Sequence, residues 1–147
     1  MKLVFLAHLF ATLTMFGAIW TVQVVHYPLF GLVGDATWTA YEAQHQSRIT
    51  LVVGPAMVVE LATAVWLALR PLPGLPAWAL LVGAALVGLL WASTAVVQVP
   101  LHTSLSAGFT PEVHARLVGT NWIRTALWSA RAGLVLWMTW RLLGEVA

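Results

Sequence analysis

Four apolar runs, Leu3–Val25, Ile49–Leu69, Ala77–Val99 and Thr120–Leu143, make up most of this chain. Each approaches the ~20 residues an α-helix needs to cross the hydrocarbon core of a bilayer. In lipid a lone segment must satisfy its backbone polar groups internally, which leaves the helix as its form. The chain has 147 residues, 61% hydrophobic and 8% charged, and a soluble domain of that size could not hide so much apolar surface. The expected fold is all-α and integral to a membrane. It is a single domain, residues 1–147, in which four transmembrane helices (3–25, 49–69, 77–99, 120–143) form a bundle of two helical hairpins. The first run follows Lys2, as in a signal peptide. It is too long for one and lacks a small-x-small cleavage site, so it reads as a retained helix.

Charge sets the expected orientation. Lys2, Arg70 and Arg141 share one set of helix ends, whereas Asp35, Glu42, Arg48, Glu112 and Arg116 occupy the other. The positive-inside rule then places both termini and the Arg70–Pro76 loop in the cytoplasm, in a multi-pass protein of a bacterial inner membrane. Trp66, Trp78, Trp137 and Trp140 suit the inner interface, and Trp20, Trp38, Trp91 and Trp122 the outer one. Pro71-Leu72-Pro73-Gly74-Leu75-Pro76 breaks the chain into two halves that resemble each other. Val24-Val25-His26-Tyr27-Pro28-Leu29 corresponds to Val96-Val97-Gln98-Val99-Pro100-Leu101, and Arg48 corresponds to Arg124. Asp35–Trp38 and Thr110–Val113 look like helix starts, with Pro111 and Glu112 suited to a first turn, and predict a short helix in each outer loop.

Glu60 and Arg131 stand in the middle of the second and fourth runs. An ionisable group in a span normally faces the protein interior and a partner. Both lie equally far into their runs, roughly 16 Å at the helical rise, so opposite charges meet at one depth if the helices enter from the same side. The pair is either a packing salt bridge or part of a site. Helical spacing adds polar faces in the outer half: Asn121, Arg124, Trp128 and Arg131 on the fourth run, Trp91, Thr94, Gln98 and His102 on the third, Thr12, Gln23 and His26 on the first. Trp91, Trp128 and Trp20 are candidates to line a cavity for a flat aromatic ligand. The inner half looks drier, with His8 its main exception.

His26, His45, His102 and His114 all fall in the outer half and raise a metal or an axially bound haem. Their spacing matches no metal motif and the nearby arginines oppose a cation, so no cofactor is assigned and the metal-ligand set is empty. The absence of cysteine excludes disulfides, thiolate catalysis and cysteine-bound zinc or iron–sulfur clusters. A net charge of +2 gives no reason to expect a nucleic-acid partner. Phosphate-binding glycine loops and serine-hydrolase elbows are missing, which argues against a nucleotide enzyme.

Val97-Gln98-Val99-Pro100-Leu101-His102, followed by Asn121-Trp122-Ile123-Arg124-Thr125, resembles a pattern in the anthrone-oxygenase-like family of small four-helix membrane proteins. That family closes its third helix with a polar-x-Pro-Leu-Asn segment and opens its fourth with Asn-x-x-Arg. His26-Tyr27-Pro28 is similar to the His-Pro-like end of its first helix, and His102 replaces the family's usual Asn. A few fungal relatives are implicated in oxidising polycyclic anthrones with molecular oxygen. The resemblance implies a cofactor-independent oxygenase in which His26 or His102 acts as base and Arg124 and Asn121 hold an oxyanion. Gln98, Glu60, Arg131, Trp128 and Trp91 are the accompanying candidates for ligand binding. The first expected function is therefore a polar intramembrane site for a hydrophobic aromatic or quinone-like molecule. The second is a non-catalytic subunit of a respiratory or photosynthetic membrane complex, with Gly83, Ala84, Ala85 and Gly88 packing closely against a partner or a second copy. A proton relay or transporter using Glu60 ranks third. The bilayer itself is a partner in each.

Overall fold

A computed structural model describes residues 1–144. It is all-helical, and four long rods account for nearly all of it: α1 (Lys2–Leu32), α2 (Asp35–Leu69), α3 (Ala77–Ser106) and α4 (Pro111–Gly144). Each rod packs against its neighbours in chain order, and α4 closes back onto α1, so the rods form a ring. Short connections make sequential neighbours antiparallel. Three of the rods, α1, α2 and α3, are long and apolar enough to cross a membrane. The fourth, 34 residues long, is interrupted by Arg116, Arg124, Arg131 and Arg141, and its own hydropathy falls short of that measure.

The helices run beyond the apolar segments. The expected short helices in the outer loops do not form as separate elements. Asp35–Trp38 opens α2 itself, which continues unbroken through Glu42, His45 and Arg48 into the apolar stretch. Thr110–Val113 likewise opens α4, where the Thr110 carbonyl accepts the His114 N–H at 2.9 Å. Asp35 and Glu112 sit in first turns, where the helix dipole favours an acid. Trp38, placed at a lipid interface by the tryptophan pattern, is instead only 1% exposed; its indole N–H donates to the Leu105 carbonyl at 2.7 Å.

α1 and α3 share an irregularity. Each widens into a π-helical turn, Val22–His26 in one and Thr94–Gln98 in the other, just before Tyr27-Pro28 and Val99-Pro100. Proline has no N–H to donate, and its ring crowds the carbonyl one turn back; a wider turn relieves both problems. The bulges fall at equivalent places in the two similar halves and turn Gln23 and Gln98 inward, where both are buried.

The interior is layered. At the end of the ring that carries Lys2 and the α2–α3 loop, called inner after the expected orientation, Phe5, Leu67, Ala79, Leu80, Val135 and Met138 pack with Leu72 and Leu75 of that loop. That loop turns at Gly74, whose φ of 89° is a conformation that side chains disfavour. Met15, Ile19, Met57, Leu90 and Trp128 fill the middle. Val22, Tyr27, Phe30, Trp38, Leu101, Leu105 and Leu117 close the outer end.

Candidate functional site

Two polar layers lie inside the ring. In the first, Glu60 of α2 meets Arg131 of α4, with Arg131 Nε donating to Glu60 Oε1 at 2.7 Å. Thr12 of α1 donates to the same oxygen at 2.9 Å, and the Trp128 indole N–H donates to Glu60 Oε2 at 3.0 Å. Arg131 Nη1 donates to the Gly83 carbonyl at 2.6 Å; Nη2 reaches His8 Nε2 at 3.1 Å and Thr12 Oγ1 at 3.2 Å. Because His8 Nε2 faces a donor, its proton belongs on Nδ1, which lies 2.8 Å from Thr63 Oγ1. All four rods contribute. Both charges are almost wholly buried, and no polar atom of Glu60, Arg131, His8 or Thr12 lacks a partner. His8, the expected exception in a drier inner half, joins this mid-depth pair above an apolar inner end.

The second layer lies toward the outer end. Glu42 of α2 is fully buried, and its Oε1 lies 2.6 Å from His102 Nδ1 of α3. The other imidazole nitrogen, His102 Nε2, is 2.8 Å from the Tyr27 hydroxyl of α1. A carboxylate at Nδ1 assigns the imidazole proton there, so Nε2 accepts from the Tyr27 O–H. Gln46 Nε2 braces the arrangement by donating to Glu42 Oε1 at 3.0 Å and to Ser106 Oγ at 2.7 Å. His45 stacks on His102 at 5.4 Å between ring centres, and its Nδ1 is 2.8 Å from His26 Nε2.

Beside this chain is a cavity of ≈ 160 Å³. Its polar lining includes Tyr27, His45, Gln46, Gln98, His102 and Arg124; its apolar lining comes from residues such as Met15, Ile19, Val22, Ile49 and Val53. A cavity of ~150 Å³ accommodates one benzene ring, so this one suits a single aromatic ring. His45 and Ile49 also border a wider surface groove shared with His26, Tyr41 and Arg48.

Three buried side-chain atoms have no hydrogen-bond partner among the described residues: Glu42 Oε2, Gln98 Oε1 and Arg124 Nε. All belong to the outer layer, and two of the three residues line the cavity. Arg124 is held from below and from the side. Its guanidinium carbon lies 5.2 Å from the centre of the Trp128 ring, and Nη1 donates to Asn121 Oδ1 at 3.2 Å. The amide of Asn121 is bound in turn to Gln23 Oε1 at 2.8 Å. Trp128 therefore joins the two layers, bonded to Glu60 and stacked under Arg124.

The candidates from the sequence separate accordingly. Gln98, His102 and Arg124 come together at the cavity. His26 stands one residue removed, behind His45. Asn121 does not line the cavity and instead orients Arg124. Glu60 and Arg131 form the closed inner layer. Trp128 is fully buried beneath Arg124, Trp91 packs beside Met15 and Leu90, and Trp20 is 40% exposed with its indole N–H on Ser129; none of these tryptophans lines the cavity. His114 is separate from the other histidines, with Nε2 on the Tyr27 carbonyl at 2.8 Å. Among the described residues no group of three or more histidines and acids is arranged to hold a metal ion. Tyr27, Glu42 and Gln46 are the members of the outer layer that sequence reasoning missed. The spacing of Glu42, His45, Gln46 and Ile49 along one helical face was the available signal. No family model matches the chain, and neither a curated protein nor a solved structure does.

Proposed function

We propose that this chain crosses a cytoplasmic membrane four times, with both termini on the inner side, and binds a hydrophobic aromatic or quinone-like molecule in its outer cavity. The observation that carries the binding reading is a ring-sized cavity with Tyr27, Gln98, His102 and Arg124 on its polar wall, in a layer that also keeps buried polar atoms without partners, Gln98 Oε1 and Arg124 Nε among them. Leaving a buried donor or acceptor unpaired costs roughly 1–3 kcal/mol. A ligand carrying an acceptor and a donor, as a phenol or a half-reduced quinone does, would bond to this polar wall, and a rotation of the Gln98 and Arg124 side chains would bring their unpaired atoms to it. Apolar residues on the remaining walls suit the rest of such a molecule.

The fourth crossing is supported by where the arginines of α4 point. Arg124 and Arg131 are buried, whereas Trp122, Ile123, Leu136 and Trp140 are exposed on the outside of the same helix. The helix would present an apolar surface to lipid despite its charged sequence. Oxygenation of the bound molecule without a cofactor would start by removing an acidic proton, and the polar wall of the cavity carries groups of that kind.

The test uses protein reconstituted in lipid nanodiscs and titrated with tetramethylbenzoquinone by calorimetry. Native mass spectrometry and an absorption spectrum of the purified protein accompany it, to detect a resident ligand. Arg124→Leu and Gln98→Leu should each weaken binding by about tenfold or more, equivalent to ~1.4 kcal/mol. Unaltered binding in both variants would overturn the assignment. An empty protein that binds no quinone and co-purifies with a larger assembly would favour the accessory-subunit reading instead.

A further inference from the structure

We propose that Tyr27, His102 and Glu42 form a relay that takes the proton from a single-ring phenol or hydroquinone in the outer cavity, leaving its oxyanion against Arg124. This inference rests on the binding reading above and gives it a chemistry. Tyr27 and His102 both line the cavity, and their 2.8 Å hydrogen bond runs from hydroxyl to imidazole. The imidazole is in turn backed by a fully buried carboxylate at 2.6 Å. A phenol oxygen bonded on one side to the Tyr27 oxygen and on the other to Arg124 would sit between a proton acceptor and a cation.

The step is a two-hop proton transfer. The ligand O–H bond breaks as its proton forms a new O–H bond at Tyr27. The original Tyr27 O–H bond breaks as its proton bonds to His102 Nε2. The products are a phenolate and an imidazolium, and no electrons are transferred. Glu42 is a positioning residue: its carboxylate fixes the imidazole tautomer and stabilises the positive ring. Its second oxygen has no competing donor, and Gln46 braces the first. Arg124 stabilises the opposite product with a guanidinium that lines the cavity. The other titratable groups facing His102 are His45, stacked on it, and His26 beyond. The 2.8 Å bond between His26 and His45 requires one of its two nitrogens to be an unprotonated acceptor, which limits the positive charge beside His102.

The relay demands a ligand that fits the cavity with an acidic hydroxyl at its polar wall. The ≈ 160 Å³ cavity takes one ring. The probe is 4-nitrophenol, whose phenolate is yellow and whose neutral form is colourless. Protein in nanodiscs is held at a pH where the free probe is protonated. Binding is followed by calorimetry and ionisation by visible absorption. The expected result is a bound, yellow probe in the parent protein. Tyr27→Phe, which loses its hydrogen bond to the probe, and His102→Gln, which loses the proton acceptor, should bind it more weakly and leave the bound probe colourless at saturation. Glu42→Gln should bind it with at least a tenfold loss of the phenolate band, which a purely structural carboxylate would not cause. A bound but colourless probe in the parent overturns the relay while sparing the binding reading. Persistent colour in Tyr27→Phe or His102→Gln also overturns it and assigns ionisation to Arg124 alone. No binding to the parent overturns both. Should His102→Gln fail to fold, Tyr27→Phe decides.

Discussion

Glu60 and Glu42 are both buried carboxylates of α2, each bonded to a nitrogen on another rod, yet the environments around them are opposite. Around Glu60 both oxygens are used, and every nitrogen of its Arg131 partner is engaged with side chains or the Gly83 carbonyl. Around Glu42 one oxygen is unused, the partner is a histidine that hydrogen-bonds onward to a phenol, and a cavity adjoins. A buried polar network that is fully satisfied rigidifies the fold; one with spare valences beside a void can accept something else. The comparison separates an ion pair that ties four helices together from a carboxylate–imidazole pair that keeps an unused oxygen beside a cavity. It also weighs against a transport role for Glu60, whose two oxygens are already committed.

The largest effect should come from breaking the closed layer. Glu60→Leu strands a buried guanidinium, and loss of one partner of a buried ion pair costs ~3–5 kcal/mol. Unfolding in detergent should show that loss, and the double variant Glu60→Leu, Arg131→Met should recover much of it. A single variant within about 1 kcal/mol of the parent would break the comparison, since exposed ion pairs behave that way.

A smaller loss should follow from crowding the same layer without removing a charge. A Cβ added at Gly83 would lie in contact, 3.4 Å from Arg131 Nη1 and 3.7 Å from Leu134 Cδ2, and the branched methyls of valine reach beyond it toward the same groups. Gly83→Val should destabilise by ~1–3 kcal/mol, the usual cost of overpacking, as read from the same unfolding transition. The close approach of α3 to α4 is thus explained by the guanidinium bonded to the Gly83 carbonyl. Gly83 is used inside the ring, whereas Ala85 and Gly88 are exposed on α3.

Glu42→Gln tests the other side of the comparison. The amide keeps the shape and an acceptor for His102 Nδ1, so only the charge is lost. Stability should fall by about 1.5 kcal/mol, the low end for hydrogen bonds to charged groups, because one carboxylate oxygen already has no partner. A loss as large as that of Glu60→Leu would mean that the outer layer is as structural as the inner.

The two layers were not equally legible in the amino-acid sequence. Glu60 and Arg131 interrupt apolar runs at matching positions, so depth alone brings them together. Glu42, His45 and Gln46 precede an apolar run, and their polarity makes the segment look like loop. Helix α2 nevertheless begins at Asp35 and carries all three along one face. Tyr27 was hidden for a different reason: it ends an apolar helix, and its partner His102 lies on α3, across the ring. Lateral pairing of that kind depends on the π-turns before Pro28 and Pro100, which shift the helical register by an amount that 3.6-residue periodicity does not foresee. The tryptophans misled in both directions. Interface propensity cannot distinguish Trp122, which is exposed, from Trp38, which fills the outer core. An aromatic face cannot reveal that Trp128 supports Arg124 instead of lining the void.

The smallest effect on stability should come from Gln98→Leu, and it is the sharpest test of the comparison. Gln98 donates to Thr120 Oγ1 at 3.0 Å while its Oε1 is buried without a partner. Removing the side-chain amide loses one hydrogen bond worth ~1 kcal/mol and relieves an unpaired oxygen costing roughly 1–3 kcal/mol. The two nearly cancel, so the unfolding midpoint should stay put or rise slightly. Quinone affinity should nevertheless fall, because Gln98 supplies part of the cavity's polar wall. A polar residue whose loss is neutral for folding and harmful for binding belongs to a site. If Gln98→Leu unfolds as readily as Gly83→Val and binds quinone unchanged, the outer layer is packing like the inner one, and the difference between the two carboxylates is one of degree.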